Sequence, residues 1–383
     1  MKKVIIFYAS YGGGHLSAAK SIMHYIDSNY PDVEIELIDC VKYISNTLDK
    51  VTTTAYKEIA KKVPWAWGKV YKKSQKGTLA KISSSSNKIM ARKLLKLLQE
   101  KAPDLIISTH PFGNQMVSYL KRKEKFNCPL ATVMTDYAPH EQWLIGKEYI
   151  DYFFVSHRGM KESLQEFDIP AENIYVTGIP LSGKFLKHYR KESILSEFNL
   201  SPDKKVILFF GGGEFGLGKT KTLEILSSLI DCSDAQIVAI AGKNERMEEN
   251  FREIVTSCSR PDDILVLPFT DKVPELMSIS YLVVTKPGGL TTTEALASGL
   301  PLILINPIPG QEEENAEFLE GEGVAFWLKK ADDSRKAFSS LFENPEKIKK
   351  MRVQAKLLAK KNSTKDICEI LFNKKIIQLK KQN

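Results

Sequence analysis

The chain has 383 residues, 43% of them hydrophobic, and a formal net charge of +9 at pH 7. This length predicts two domains, since a single hydrophobic core rarely grows beyond about 250–300 residues. No run of 18 or more apolar residues occurs, so we expect no transmembrane helix. The five cysteines are scattered and lack CxxC spacing, which argues against a disulfide framework or a cysteine metal site and fits a reducing cytosol.

Short apolar strands alternate with helical patterns along most of the chain. The strands predicted in the first half are Val4–Ala9, Val33–Ile38, Leu105–Ser108, Ala131–Thr135, Tyr152–Val155 and Ile174–Val176. Those predicted in the second half are Val206–Phe210, Gln236–Ile240, Ile264–Leu267, Tyr281–Val284 and Leu302–Ile305. Short apolar strands joined by helices are typical of parallel, doubly wound sheets. We therefore predict an α/β protein with two Rossmann-like domains that face a cleft.

The predicted domain boundary lies within residues 178–202, where no strong strand occurs and Pro180 and Gly183 interrupt the pattern. We assign residues 1–180 to an N-terminal domain and residues 181–383 to a C-terminal domain that ends in helices. The apolar run near the N-terminus is seven residues long and ends in glycines, which predicts a first strand and not a signal peptide.

The first predicted strand ends in the turn Gly12-Gly13-Gly14-His15, and a helix follows. A neutral histidine at a helix start can accept a proton from an attacking hydroxyl, and the positive end of the helix lowers its pKa. The glycines let a substrate come close to the backbone. The alternative is a histidine that merely caps the turn.

Two further polar residues end strands of the same predicted sheet. Asp136 follows the strand that ends at Thr135, where a carboxylate can orient His15 or bind an acceptor hydroxyl. It can equally serve as a helix cap or turn residue. His110 follows the strand that ends at Ser108, and we expect it to line the cleft.

The segment 57–96 is strongly basic. It has twelve Lys or Arg and one acid, so it carries a charge of +11 while the rest of the chain sums to −2. Trp65 and Trp67 lie among these lysines, which include Lys69, Lys72 and Lys73. Basic residues with interfacial aromatics suit an anionic membrane surface. The alternatives are a nucleic-acid surface and a solvated pair of lysine-rich helices.

Residues 213–220 match the pattern GxxxxGK[ST] after a predicted strand, which is typical of a phosphate-binding Walker loop. Such a loop needs a partner strand that ends in an aspartate for magnesium, and none of the later predicted strands does. The better interpretation is that Gly211, Gly212 and Gly213 approach a diphosphate at the end of a strand.

The segment 285–315 combines several ligand-binding signals. A predicted strand runs into Pro287-Gly288-Gly289, and a helix begins near Thr291. Uncovered N–H groups at a helix N-terminus, which carries about half a positive charge, can hold a phosphate. Glu294 lies one turn further on, where a carboxylate can bind two ribose hydroxyls. The alternative is a capping box formed by Thr291 and Glu294, which needs no ligand.

The next predicted strand ends in Pro307-Ile308-Pro309-Gly310, and Gln311 and Glu312 then begin another helix. Their side chains can bond the hydroxyls of a sugar. Phosphate, ribose and hexose contacts in this order predict a nucleotide-sugar site.

These motifs together resemble the family of monogalactosyldiacylglycerol synthases and processive diacylglycerol glucosyltransferases, lipid relatives of the peptidoglycan glycosyltransferase that acts on lipid II. The resemblance covers about residues 4–330. It rests on GGGH at 12–15, STHPF at 108–112, TDYAPHEQW at 135–143, VTGIP at 176–180, GGGEFGLG at 211–218, TKPGGLTTTEALASGLP at 285–301 and PGQEEENA at 309–316.

The resemblance implies a GT-B fold and inverting transfer of a hexose from UDP-glucose or UDP-galactose to diacylglycerol, without a catalytic metal or cofactor. It implies His15 as the base, with Asp136 as a second catalytic residue. The residues it implies for the UDP-sugar are Gly14, Gly212, Gly213, Phe269, Thr270, Gly288, Gly289, Leu290, Thr291, Glu294, Gln311 and Glu312. Those it implies for the membrane or acceptor are Trp65, Trp67, Lys69, Lys72, Lys73 and His110.

The expected partners are therefore a UDP-hexose, diacylglycerol and anionic membrane lipids, with no nucleic acid. The expected location is the cytoplasm, peripheral on the inner face of the cell membrane. Three enzyme alternatives stay open at this point. They are an N-acetylglucosaminyltransferase that uses a polyprenyl-linked acceptor, a non-hydrolysing UDP-sugar epimerase and, more distantly, a P-loop NTPase.

Overall fold

The structure is a computed structural model that describes residues 2–10, 13–45, 91–211 and 219–372. The chain divides into two compact units. The first comprises Met1–Ser182 and Asn362–Asn383, and the second comprises Gly183–Lys361. Within the described residues, no helix is long and apolar enough to cross a membrane.

The first unit contains a parallel sheet that, in the described part of the chain, has six strands in the order β2-β1-β3-β4-β5-β6. The strands are β1 (Lys2–Tyr8), β2 (Val33–Asp39), β3 (Leu105–Ser108), β4 (Leu130–Val133), β5 (Tyr152–Val155) and β6 (Ile174–Val176). The helices are α1 (Gly14–Asn29), α2 (Cys40–Ser45), α3 (91–101), α4 (Pro111–Arg122), α5 (Arg158–Glu166) and, at the end of the chain, α14 (Ser363–Phe372).

Both faces of this sheet are covered, which explains the continuous apolar strands. Along β1, Ile5 and Phe7 face one core, while Val4 and Ile6 face the other. Alternate residues of a strand point to opposite faces, so a strand buried on both faces needs apolar residues at every position. The four residues of β3 are accordingly all buried.

The second unit contains another parallel sheet, with six described strands in the order β12-β11-β10-β7-β8-β9. The strands are β7 (Val206–Phe210), β8 (Gln236–Gly242), β9 (Ile264–Pro268), β10 (Leu282–Thr285), β11 (Leu302–Leu304) and β12 (Ala325–Trp327). The helices are α6 (Lys191–Glu197), α7 (Lys219–Cys232), α8 (Glu245–Ser257), α9 (Val273–Ile279), α10 (Gly289–Ala297), α11 (Gln311–Gly321), α12 (Ser334–Phe342) and α13 (Pro345–Leu358). The predicted α/β class with two doubly wound parallel sheets is confirmed.

The C-terminal limit of the second unit differs from the expected range 181–383. Helix α14 belongs to the first unit because Ile367, Cys368 and Leu371 pack into the same core as Val4 and Ile6. Residues at the end of the chain thus complete a core that begins with the first strand. A linear assignment of halves cannot detect this packing.

Several strand ends lie one or two residues from their predicted positions, and one strand was not predicted. β12 was not predicted, since its three residues lie between glycine and lysine segments and are too short to show a period. β4 begins at Leu130 and ends at Val133, so Thr135 lies beyond the strand in the loop that leads to Asp136.

Candidate active site

Each sheet has a topological switch point, where neighbouring strands send their connections in opposite directions along the sheet. It lies between β1 and β3 in the first unit and between β7 and β10 in the second. Doubly wound sheets bind ligands at the carboxyl ends of the strands beside such a point. The described residues 13–15 of the glycine motif lie after β1, and the turn 286–289 follows β10. Each predicted motif therefore lies at the switch point of its own sheet.

His15 lies at the beginning of α1 and contacts the loops that follow the neighbouring strands. Its Nδ1 is 2.7 Å from the carbonyl oxygen of Thr109 and 3.1 Å from Oγ1 of Thr135. The Thr109 hydroxyl also donates to the carbonyl of His15, at 2.9 Å. A carbonyl oxygen can only accept, so Nδ1 of neutral His15 carries the hydrogen and Nε2 keeps its lone pair. The alternative of a histidine that only caps its own turn is wrong, because its partners lie after β3 and β4.

The environment keeps His15 neutral. Burial lowers its pKa from 6.5 to about 4, and the hydrogen bond to the Thr109 carbonyl partly offsets this. The pKa of His15 is lowered, as expected, but the cause is burial and not the positive end of the helix. Among the described residues, Nε2 of His15 has no hydrogen-bond partner. The ring is therefore a neutral base with an available lone pair.

His110 lies beside His15 and holds the opposite tautomer. The two ring centroids are 4.6 Å apart in an edge-to-face arrangement. Nδ1 of His110 accepts from the backbone N–H of Phe112, at 3.2 Å, and thereby caps helix α4. Its hydrogen is then on Nε2. Burial lowers the pKa of His110 well below its usual value, with smaller effects from His15 and His140. The rings of His15 and His110 are therefore adjacent and are both kept neutral by burial.

Asp136 is buried directly after Thr135, and it is the Thr135 hydroxyl that contacts the His15 ring. Thr109, Thr135 and His140 had no predicted role. All three follow strands of the first sheet within the segments STHPF and TDYAPH, and that placement was the available signal. Burial, and then the nearby His15, lowers the pKa of His140 to about 3.

In the second unit, helix α10 begins at two consecutive glycines, Gly288 and Gly289. Its N-cap is Gly288, which has extended backbone angles and no side chain to cap the helix. A Cβ atom added at Gly288 would meet no atom within 4 Å, so the space above the turn is open. The first N–H groups of a helix have no partner within it, which leaves those of Gly289, Leu290 and Thr291 to bind a ligand. Thr291 lies inside the helix, and the capping-box alternative is therefore wrong.

Glu294 lies one turn into α10 and is half-buried. Burial raises the pKa of its carboxyl group from 4.5 to about 8, and no cation offsets this. Among the described residues, no hydrogen-bond donor contacts its side-chain oxygens. A half-buried carboxyl group without a partner is costly unless a ligand supplies donors.

The turn before α11 lies next to the turn before α10. Asn315 donates from Nδ2 to the carbonyl of Pro287, at 3.0 Å, and so ties the two turns together. Glu312 accepts from the backbone N–H of Ile308, at 2.6 Å, which holds the turn before α11. Gln311, the first residue of α11, makes no side-chain hydrogen bond within the described residues.

Lys286 is a residue of this site that the sequence analysis missed. It directly follows β10 and precedes the two-glycine turn. Burial lowers its pKa, and the nearby Glu312 partly offsets this effect. A partly buried ammonium group beside a helix N-terminus adds positive charge where the turn already presents N–H groups. The lysine in the segment TKPGG was the available signal.

The loop after β9 carries Phe269 and Thr270. Phe269 is 61% exposed, which is high for a phenylalanine, and the Lys243 ammonium lies 5.3 Å from its ring centroid. The Thr270 hydroxyl accepts from the backbone N–H of Lys272, at 3.1 Å, and shapes the loop. The exposed ring and the loop backbone form a surface of the kind on which a flat base can stack.

Several predicted site residues lie outside the described residues. They are Gly212 and Gly213, with most of the Walker-like segment, and Trp65, Trp67, Lys69, Lys72 and Lys73. Gly14, the first residue of α1, is half-buried beside Gly13, where an added Cβ would again meet no atom within 4 Å. Gly211 has a packing reason to be glycine, because an added Cβ would lie 2.7 Å from the ring of Phe251. In the described ranges, no group of three His, Cys, Asp or Glu side chains is placed to hold a metal ion.

Comparison with known families agrees with this geometry. Residues 15–181 match the family model for monogalactosyldiacylglycerol (MGDG) synthase, and residues 190–358 match that for glycosyl transferases group 1. Among solved structures, Acinetobacter baumannii MurG is similar with a TM-score of 0.65 and 14% identity, covering 97% of this chain and 99% of that one. The Staphylococcus aureus MnaA–UDP co-structure has a TM-score of 0.64 and 16% identity, covering 97% and 96%. At these identities the two structures show the fold alone, which is GT-B, and the family models define the class as glycosyltransferases.

The curated relatives narrow this class to one family. The processive diacylglycerol beta-glucosyltransferase of Bacillus licheniformis is 30% identical over 100% of this chain and 97% of its own length. That of Bacillus pumilus is 31% identical over 96% and 94%, and that of Staphylococcus aureus is 31% identical over 97% and 93%. The chain belongs to the family of processive diacylglycerol beta-glucosyltransferases. The predicted family, the GT-B fold and the glycosyltransferase activity are confirmed.

Proposed function

We propose that this enzyme transfers glucose from UDP-glucose to the hydroxyl group of a diacylglycerol, with inversion at the anomeric carbon. The observation that supports this most directly is His15, a neutral base at the switch point of the first sheet with an available Nε2 lone pair. The names of the relatives supply the choice of donor sugar and acceptor. An α-linked donor and a β-linked product require a single inverting displacement.

The acceptor hydroxyl would donate its proton to Nε2 of His15 as its oxygen attacks the anomeric carbon. The new C–O bond forms as the bond between the sugar and UDP breaks, and the electron pair of that bond leaves with the diphosphate. The resulting imidazolium would be held by its Nδ1–H bond to the Thr109 carbonyl. A base of this kind contributes about 10²–10⁴-fold to the rate. His110 would line the acceptor side of the site beside His15.

The departing UDP carries developing negative charge. The N–H groups of Gly289 and Leu290 at the start of α10, together with the Lys286 ammonium group, would stabilise it. Such donors are in place before the reaction and therefore cost no reorganisation when the charge forms. Gly212 and Gly213, after β7, would complete the cradle from the neighbouring strand.

The remaining predicted contacts would recognise the donor. Glu294 would accept hydrogen bonds from two ribose hydroxyls, which supply the donors that its carboxyl group lacks. The uracil would lie against Phe269 and the backbone of Thr270. Gln311 and Glu312 would bond the hydroxyls of the hexose. Asp136 would bind the acceptor side of the site.

The acceptor lipid requires contact with a membrane. The basic segment 57–96, with Trp65 and Trp67, would bind anionic lipids at the inner face of the cell membrane. This assignment rests on the composition of the segment. The same composition leaves nucleic acid as the competing partner, which we do not expect.

The test is a transfer assay with vesicles that contain diacylglycerol and an anionic phospholipid, with lipid products identified by mass. UDP-glucose, UDP-galactose and UDP-N-acetylglucosamine are offered separately. We expect glucosylated diacylglycerol from UDP-glucose. His15→Gln should lower turnover by about 10²–10⁴-fold while UDP still binds. His24→Gln is the matched control, because His24 is an exposed histidine on the same helix.

Other outcomes would each contradict a different part of the proposal. Product only from UDP-N-acetylglucosamine and a polyprenyl-linked acceptor would change the substrate class. Isomerised UDP-sugar without a lipid product would indicate an epimerase, and nucleotide hydrolysis that depends on Lys219 would indicate an NTPase. Turnover of His15→Gln close to that of the wild type would contradict the assignment of the base.

A further inference from the structure

Helix α13 carries an unusual outer face. Its inner face is formed by Ile348, Met351 and Ala355, which are buried within the second unit. Val353 is 52% exposed and Leu357 is 73% exposed. These two residues are four apart and therefore lie next to each other on the helix surface. The outer face thus presents a pair of large apolar side chains to solvent.

Lysines surround this apolar pair. Residues 347–361 contain seven Lys or Arg and no Asp or Glu. Lys349 and Lys350 lie one turn before Val353, whereas Lys360 and Lys361 lie in the segment directly after the helix, which ends at Leu358. All four are exposed, as is Lys356 beside the pair. We call the exposed set Lys349, Lys350, Val353, Lys356, Leu357, Lys360 and Lys361 the α13 face.

Most of the charge of the α13 face is not neutralised by the residues that the structure describes. Lys349 lies 3.7 Å from Glu346, the sole acid of the helix. Among the described residues, no carboxylate lies within ion-pair distance of Lys350, Lys356, Lys360 or Lys361. By contrast, Lys365, a few residues later, is paired with Glu369. The excess charge is therefore available to an external anion.

We propose that the α13 face is a docking surface for a bilayer that contains anionic phospholipids. Lysines with long apolar stems and a central apolar pair match the interface of such a bilayer, where headgroups supply negative charge and acyl chains receive Leu357 and Val353. A nucleic acid or an acidic protein would satisfy the lysines but leave the apolar pair in water. The proposal rests on the proposed function only in that the acceptor lies in a membrane. It adds a contact in the second unit to the predicted segment 57–96.

A site-specific probe tests the proposal directly. In the full chain, the half-buried Cys232 and Cys258 are replaced by serine, and Leu357→Cys is labelled with an environment-sensitive fluorophore. The label should shift to the blue with vesicles of equal parts phosphatidylcholine and phosphatidylglycerol, and far less with phosphatidylcholine alone. The same label at Lys330→Cys, an exposed position of the same unit, should not shift. Because each label reports its own position, binding through 57–96 cannot mask the result.

A charge-reversal variant provides the second measurement. Lys350→Glu, Lys360→Glu and Lys361→Glu together should lower vesicle affinity at least tenfold, since each lysine near an anionic surface contributes about fivefold. Lys123→Glu, Lys125→Glu and Lys330→Glu change the net charge equally at exposed positions elsewhere and serve as the matched control. The effect should weaken with added salt.

Three results would overturn the proposal. The first is a label at position 357 that does not respond although the protein sediments with vesicles. The second is an equal loss of vesicle affinity in the two triple variants. The third is a label that responds to duplex RNA but not to vesicles. Transfer to diacylglycerol dispersed in detergent separates this question from the proposed function. The α13 charge-reversal variant should keep the transfer activity in detergent. If the wild-type protein lacks that activity, the proposed function is contradicted. The fluorophore result alone then decides whether the α13 face docks to a bilayer.

Discussion

The half-buried carboxyl group of Glu294 gives a prediction about stability and pH. Its pKa is raised from 4.5 to about 8. In the absence of ligand, the unfolded chain loses this proton above about pH 4.5, but the folded protein retains it until about pH 8. The contribution to stability is therefore fully present below pH 4.5 and is lost as the pH rises through 8. Glu294→Gln should remove this loss, because the amide does not ionise.

The magnitude follows from the same pKa. One unit corresponds to about 1.4 kcal/mol, so a shift from 4.5 to about 8 sets an upper limit of about 5 kcal/mol. The side chain is half-buried, and solvent screening reduces this to about 2 kcal/mol. For a unit of this size, about 2 kcal/mol corresponds to a rise in melting temperature of about 4–8 °C.

Thermal unfolding of ligand-free protein at pH 5 and pH 8.5 measures this effect. Glu294→Gln should melt close to the wild type at pH 5 and higher at pH 8.5. Glu317→Gln, at an exposed position on α11, is the control and should show no pH-dependent gain. UDP should raise the melting temperature of the wild type more than that of Glu294→Gln. Equal gains at both pH values would refute the reasoning that the buried charge is costly.

Three further predictions concern the two switch points. Burial lowers the pKa of His15 to about 4, so kcat/KM should stay flat from pH 7 down to about pH 5, and an inflection near 6.5 would contradict the buried base. Gly288→Ala should keep the melting temperature within about 2 °C but raise the Kd for UDP at least tenfold, because its Cβ meets only open space that the diphosphate would fill. Gly183→Ala, where an added Cβ also meets no atom within 4 Å, is its control, and equal UDP affinity in both variants would argue against the cradle. Lys286→Gln should weaken UDP binding about tenfold by calorimetry, with a smaller difference at high salt, and an unchanged Kd would remove this lysine from the site.

Short sequence patterns, such as apolar runs and glycine turns, were enough to predict most of the fold and part of the candidate site. Strands such as β1 and β7 were predictable because a strand buried on both faces needs an unbroken apolar run. Turns at Gly288 and His15 were predictable because glycines between a strand and a helix expose backbone N–H groups. These signals act between residues that are close in sequence, so the order of residues alone reveals them.

The tertiary structure decided the contacts that depend on residues far apart in the chain. The strand order places Thr109 beside His15, and its carbonyl selects the tautomer that leaves Nε2 available. The same kind of contact brings Lys286 near Glu312 and returns α14 to the first core. No periodicity or spacing encodes such pairs, because they arise from the packing of whole elements. The sequence therefore predicted the strand ends at which the candidate site lies, whereas packing determined the tautomers, the pKa values and the partners of its residues.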